Sequence, residues 1–249
     1  MKEMDFYKGQ CLAVITGDFI RFSDLDVSVR RRMPQVIIEA GSSLCEAFGP
    51  VMPFDADVFR GDGWQAVIIN PVSALRAALF FRAYIRSAAE GQKVDTRMAI
   101  GIGPVDYVPP GNVAAGDGPA YRASGKLLEK MNSPRQGRLR CAFANRRGQE
   151  NEIQQCKPDQ DLVDAVVRLT GDIGDRWHGR RALAITGALK GWSQARIAEN
   201  WPGRISRQAV GQHLERGGWH AVSHALGVFE RKMVCCNNDM SSKPLKEAL

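Results

Sequence analysis

No apolar run in this sequence approaches the ~18 residues that a membrane helix needs. Its six cysteines, at positions 11, 45, 141, 156, 235 and 236, form no C-x-x-C pair and no Cys/His cluster with zinc-like spacing. They read as reduced, packing cysteines, with adjacent Cys235-Cys236 in a polar tail the one pair to watch for oxidation. There is no internal repeat, and no low-complexity segment before about the last dozen residues. Met1-Lys2-Glu3-Met4-Asp5 carries acids where a signal peptide wants a basic start and an apolar centre. The expectation is a cytoplasmic chain with no membrane partner.

What is present is the composition of a packed globular protein: 249 residues, 44% apolar and 24% charged. That excludes a disordered or fibrous chain. The net charge of +7 is uneven, because the stretch from Arg176 to Arg216 holds eight Lys/Arg and two acids. Such asymmetry suits a polyanion partner and is equally the mark of a solvated basic face.

Hydrophobic patterning gives the order β-α-β-β-α-β-α-β. Residues 11–17 read as a buried strand ending at a glycine. Ser23-Asp24-Leu25-Asp26 has the spacing of a Ser cap leading into a helix to about Phe48. Residues 54–59 alternate, Gly61-Asp62-Gly63 signals a tight hairpin, and Trp64 to Asn70 returns as a second strand. Pro71 opens an amphipathic helix to about Glu90. Asp95 to Val105 alternates, with Thr96, Met98, Ile100 and Ile102 inward and Asp95, Arg97 and two glycines on the opposite, open face with Asp55 and Asp57. A loop over 109–118, a helix from about Pro119 to Met131 and a last strand at 138–143 complete the unit. This is an α+β fold: a ferredoxin-like, palm-type antiparallel sheet with helices on one face, followed by a small all-α helix-turn-helix domain. The expected boundaries are 1–145 for the first domain, 146–158 for a polar linker, 159–234 for the helical domain and 235–249 for a flexible tail.

Two acids stand out. Asp18 lies where the first strand stops, and Asp62 lies at a hairpin tip that this strand order sets beside it. Paired carboxylates there suit one or two Mg²⁺ or Mn²⁺ ions, which bring a nucleoside triphosphate with them. Backbone N–H groups of Phe19 and Ile20 would receive phosphate oxygens, with Arg60 alongside. Each acid alone is also an ordinary turn or cap former. Asp117 and Tyr121 would border the same cleft as a base-edge acceptor and a stacking ring, although Asp117 before Pro119 is equally a helix start.

These segments resemble a known family. Gly17-Asp18-Phe19-Ile20-Arg21-Phe22-Ser23 and Gly61-Asp62-Gly63-Trp64 look like the two metal motifs of class III nucleotidyl cyclases, and Arg97 to Val105 resembles their R-x-G-I-x-x-G-x-V strand. The chain is closer still to the SatD family, which is similar in these motifs, in Asp117-Gly118-Pro119-Ala120 and in ending with a helix-turn-helix. The resemblance spans about residues 11–230. It implies Asp18 and Asp62 as metal ligands, and a head-to-tail homodimer with active sites at its interface. It departs in two places: the purine-selecting Lys is Val58, and the transition-state Asn and Arg fall near Tyr121 and Gly125, where Arg122 and Lys126 are the nearest charges.

The second constellation is Gly191 to Leu214. Ser193 caps one short helix with Ile197 and Ala198 inward. A Pro202-Gly203 break follows, and Ser206 caps a second helix with Val210 and Leu214 inward. In a helix-turn-helix on double-stranded DNA, Arg207, Gln208 and Gln212 would face base edges, and Arg196, Arg204 and Ser206 phosphates. A helical hairpin packed for stability has the same spacing. The function expected is a DNA-binding regulator whose cyclase-like domain binds a metal-nucleotide. The alternative is an active Mg-dependent nucleotidyl cyclase or nucleotidyltransferase.

Overall fold

A computed structural model describes residues 7–59, 61–89, 92–131, 133–144 and 159–241. The first part runs β1 (Cys11–Phe19), α1 (Val27–Phe48), β2 (Asp57–Phe59), β3 (Gly63–Ile68), α2 (Ala74–Ser87), β4 (Thr96–Pro104), α3 (Pro119–Lys130) and β5 (Leu139–Phe143). The five strands form one sheet in the order β2-β3-β1-β4-β5. β1 is central and antiparallel to both β3 and β4, with Asp18 opposite Gly63 on one side and Arg97 on the other. All five strands expected from the alternation are present.

Two expectations about the sheet need correction. It is mixed, since β5 lies parallel to β4; the long crossover through α3 brings the chain back in the same direction. Nor do the helices share one face. Ala13 and Ile15 of β1 pack in the larger core with residues of α1 and α2, whereas Leu12 and Val14 pack with Ala120 and Tyr121 of α3 in a second cluster. β1 is apolar on both sides because both sides are covered. Gly101 permits this, as a Cβ there would sit 2.1 Å from the Ala120 carbonyl oxygen.

The first helix also starts later than its Ser-Asp signal indicates. Phe22–Asp24 forms a 3-10 turn, Ser23 Oγ points to Asp24, and α1 opens only at Val27. Asp95, expected on the open face with Arg97, turns instead toward α2.

The remaining helices are α4 (Gln160–Gly174), α5 (Gly179–Leu189), α6 (Gln194–Glu199), α7 (Arg207–Arg216) and α8 (Trp219–Ser241). The expected linker 146–158 lies outside the described residues, and α8 runs into the segment expected to be a tail. Among the described residues, no helix is long and apolar enough to cross a membrane. α4 is capped by Asp159 and clamps the sheet edge: Asp164 accepts from Arg140 Nε at 2.7 Å and from the Cys141 N–H at 2.8 Å. Apolar residues of the sheet, of α1 and α2 and of the later helices belong to one continuous core.

A buried ion-pair network crosses that core. Arg82 on α2 has no solvent exposure; it donates to both oxygens of Asp95 at 2.8 and 2.7 Å, and also to Asp175 and the Gly171 carbonyl. Arg86, one turn on, donates to Asp95, to the carbonyls of Trp177 and Asp175, and contacts His178 Nδ1. Burial disfavours the Asp95 charge, yet Arg82 and Arg86 together hold its carboxyl below the ordinary value. In the unfolded chain Asp95 titrates at roughly 3.9. Its stabilisation is therefore full above that value and is lost as pH falls through the lower folded value. Asp95→Asn should reduce the free energy of unfolding by about 3–5 kcal/mol near pH 7, the cost of stranding a buried charge. Urea unfolding should show that deficit shrinking below about pH 4; an unchanged midpoint at pH 7 would contradict the assignment.

Candidate functional site

The end of β1 opens into a cavity of about 1250 Å³. Pairing with β3 and β4 brings three rows together here: Asp18 stands between Gly63 and Arg97, the Phe19 N–H donates to the Asp62 carbonyl at 2.9 Å, and the Ile20 N–H donates to the Asp95 carbonyl at 2.9 Å. Among the described residues Arg21 is the one non-glycine with positive φ, at 52°. That left-handed residue turns the chain out of the strand, and the Phe19 and Phe22 rings stack behind it at 5.2 Å. Asp18, Phe19, Ile20 and Asp62 all line the cavity. Both acids line this one cavity, whereas the Phe19 and Ile20 N–H groups, expected to receive phosphate, are spent on the Asp62 and Asp95 carbonyls.

Asp18 is already engaged. Both of its oxygens accept from Arg97, at 2.6 and 2.7 Å, and Arg97 also donates to the Met131 carbonyl at the end of α3. The hydrogen bond to Asp18 raises the Arg97 pKa; burial opposes it, and the charges of Asp18 and Asp62 add to the rise. Among the described residues no group of three or more His, Cys, Asp or Glu side chains is arranged to hold a metal ion. The chain offers two carboxylates, a donor set that fits Mg²⁺ arriving with phosphates, because Mg²⁺ commonly takes one or two carboxylates and fills its shell with phosphate and water. Asp18 and Asp62 would hold such an ion, which when bound offsets phosphate charge. Arg97 would then have to release Asp18 and would be free to meet phosphate.

The other residues expected at this cleft lie elsewhere. Asp117 pairs with Tyr107 beyond the end of β4, near the Cys11–Pro104 end of the sheet. Asp18 is at the Phe19–Thr96 end. α3 starts beside Asp117 and points its last turn at the cleft, and its 12 residues span roughly 18 Å. Arg122 is spent on Asp117 at 2.7 Å, and Lys126 is exposed. Tyr121 is 7% exposed, its ring against Gly116 and its hydroxyl buried without a hydrogen-bond partner among the described residues. Asp117, Tyr121, Arg122 and Lys126 are not among the described residues lining the cavity. Arg60 lies outside the described residues.

In their place the cavity is lined by Arg86, Lys93, Arg138 and His178. None of these carried a sequence signal. Arg86 looks like an ordinary polar position of an amphipathic helix, and His178 is far along the chain, with only its place before a helix to mark it.

The second candidate surface is formed by α6 and α7. Ser193 Oγ accepts from the Arg196 N–H at 3.2 Å and Ser206 Oγ from the Ala209 N–H at 3.1 Å, as the capping pattern indicates. Ile197, Val210 and Leu214 are buried. Arg196, Arg204, Ser206, Arg207, Gln208 and Gln212 are all exposed. Arg196 is braced over the Trp192 ring at 4.8 Å, and Trp201 stacks on His213 at 5.7 Å.

No family model and no curated protein matches the chain.

Arg97 holds both oxygens of Asp18, so a cation bound at Asp18 would have to displace it. Arg97→Met should therefore tighten Mn²⁺ binding in the absence of nucleotide by about tenfold or more, since a charge-assisted hydrogen bond is worth roughly 1.5–3 kcal/mol. Calorimetric titration reads this directly, and equal affinities for the two proteins would contradict the competition.

Proposed function

We propose that this chain is a cytoplasmic DNA-binding regulator whose cleft binds a nucleotide together with Mg²⁺ or Mn²⁺. The observation that carries the reading is the disposition of α7. Its buried side is anchored by Val210 and Leu214, and its amino-terminal turns present Arg207, Gln208 and Gln212 to solvent in a strongly basic stretch. Arg and Gln are the side chains that pair two-pronged with guanine and adenine edges in the major groove. Arg196, Arg204 and Ser206 flank them as phosphate contacts. With α6 and the glycine-bearing turn between, this supports a helix-turn-helix, with α7 as the reading helix. The antiparallel order β2-β3-β1-β4, with paired acids at the end of β1, supports a palm-type nucleotide unit in front of it.

The alternative, an active nucleotidyl cyclase or nucleotidyltransferase, is favoured by one observation: Asp18 and Asp62 share a cleft. Within one chain that cleft lacks Arg122 and Lys126 as sources of transition-state charge. A head-to-tail homodimer would be required to bring the Asp117–Arg122 end of one copy to the Asp18–Asp62 end of the other.

Arg196→Glu combined with Arg207→Glu should weaken retention of double-stranded DNA, selected from a randomised library, by at least about a hundredfold. The slope of log affinity against log salt should also become shallower, because fewer phosphates are neutralised. Unchanged, salt-independent retention overturns the DNA reading. Incubation with each nucleoside triphosphate and Mg²⁺ or Mn²⁺ separates the two readings: a heat of binding without pyrophosphate supports the regulator, and steady pyrophosphate release supports the enzyme.

A further inference from the structure

One wall of the cleft is not made by the sheet. Arg86, Asp95 and His178 line it together, and His178 belongs to the turn between α4 and α5. Arg86 is 8% exposed and holds that turn by donating to the carbonyls of Trp177 and Asp175. Trp177 is wholly buried, and its indole Nε1–H donates to the Gly217 carbonyl at 2.8 Å. Gly217 is the residue that ends α7, its own N–H bonded to the His213 carbonyl at 3.0 Å. A continuous run of hydrogen bonds thus leads from the cleft wall to the far end of the helix that presents Arg207 and Gln208.

We propose that a phosphate-bearing ligand in the cleft is linked to DNA binding by α7 through Arg86, the Asp175–His178 turn and Trp177. The proposal rests on the reading of the cleft and of α7 given above. Two of the acceptors on Arg86 are neutral carbonyls. A phosphate is a stronger partner for a guanidinium than a carbonyl is, because the bond is assisted by both charges. Ligand in the cleft draws Arg86 away from the turn. The turn then loses two of its anchors, and the indole that braces the end of α7 shifts with it. Arg86 cannot hold the turn and a phosphate with the same donors, so ligand binding and the bracing of α7 oppose each other and ligand weakens DNA binding. By linkage, DNA weakens ligand binding by the same factor, about fivefold or more for a coupling of ordinary size.

The test uses the full chain and inorganic tripolyphosphate as the probe, at constant ionic strength. On saturation, hydrogen exchange of the Trp177 indole N–H should speed up at least about fivefold, and DNA affinity should fall by a similar factor. In Trp177→Phe, which keeps a ring but removes the donor to Gly217, tripolyphosphate should change DNA affinity by less than about twofold. Weakening of DNA binding that persists undiminished in this variant would mean direct competition for the basic surface and would overturn the linkage. So would an unchanged Trp177 exchange rate in the wild-type chain while calorimetry shows tripolyphosphate bound; the cleft reading then survives alone. If no heat of binding is seen, the cleft reading and the linkage fall together. That result leaves the DNA surface untouched.

Discussion

A guanidinium with no access to water sits at the junction of the sheet and the later helices, and the architecture is arranged around satisfying it. Taking such a charge out of water costs several kcal/mol, recovered only when its donors are met. Burial pulls the Arg82 pKa down, but Asp95 and Asp175 more than offset it, so the group stays charged. Asp95 comes from the segment before β4, Asp175 from the end of α4 and the Gly171 carbonyl from α4 itself. Neither the sheet nor the helical segment can satisfy Arg82 alone. Separation would expose apolar core and take from Arg82 its Gly171 and Asp175 partners, leaving it only Asp95, which makes the two parts one body.

That constraint shapes the cleft. Asp95 uses its side chain to hold Arg82 and Arg86, while its carbonyl receives the Ile20 N–H of the turn that follows Asp18. The same residue therefore fixes the floor of the cavity and the helix that forms its wall. Arg97 does comparable work on the other side, tying Asp18 to the last turn of α3. Asp18, Arg86 and Asp95 are engaged in pairs of their own, so a phosphate or metal ion that used them would have to exchange partners.

Much of this was legible in the residues. Strand alternation, the Gly61-Asp62-Gly63 hairpin and the Ser193 and Ser206 caps are local signals, set by backbone geometry within a few positions, and each is present. Assigning α3 to the wrong side of the sheet is a different kind of error. Leu12 and Val14 are as apolar as Ala13 and Ile15, so the β1 segment says that both faces are covered and not by which helix. Asp117 and Tyr121 were expected at the cleft as a base-edge acceptor and a stacking ring; the chain, however, enters their helix at the opposite end of the sheet. Arg82, Arg86 and His178 were invisible for a simpler reason. Their partners are 9 to 93 residues away in sequence, and a buried arginine on an amphipathic helix has the same local pattern as an exposed one.

The central claim is that the ion-pair network and shared core bind the sheet and the helical segment into a single cooperative unit. Differential scanning calorimetry of the intact chain tests it most directly. The account predicts one transition whose calorimetric and van't Hoff enthalpies agree. Two resolved transitions, with the helical segment melting apart from the sheet, would contradict it.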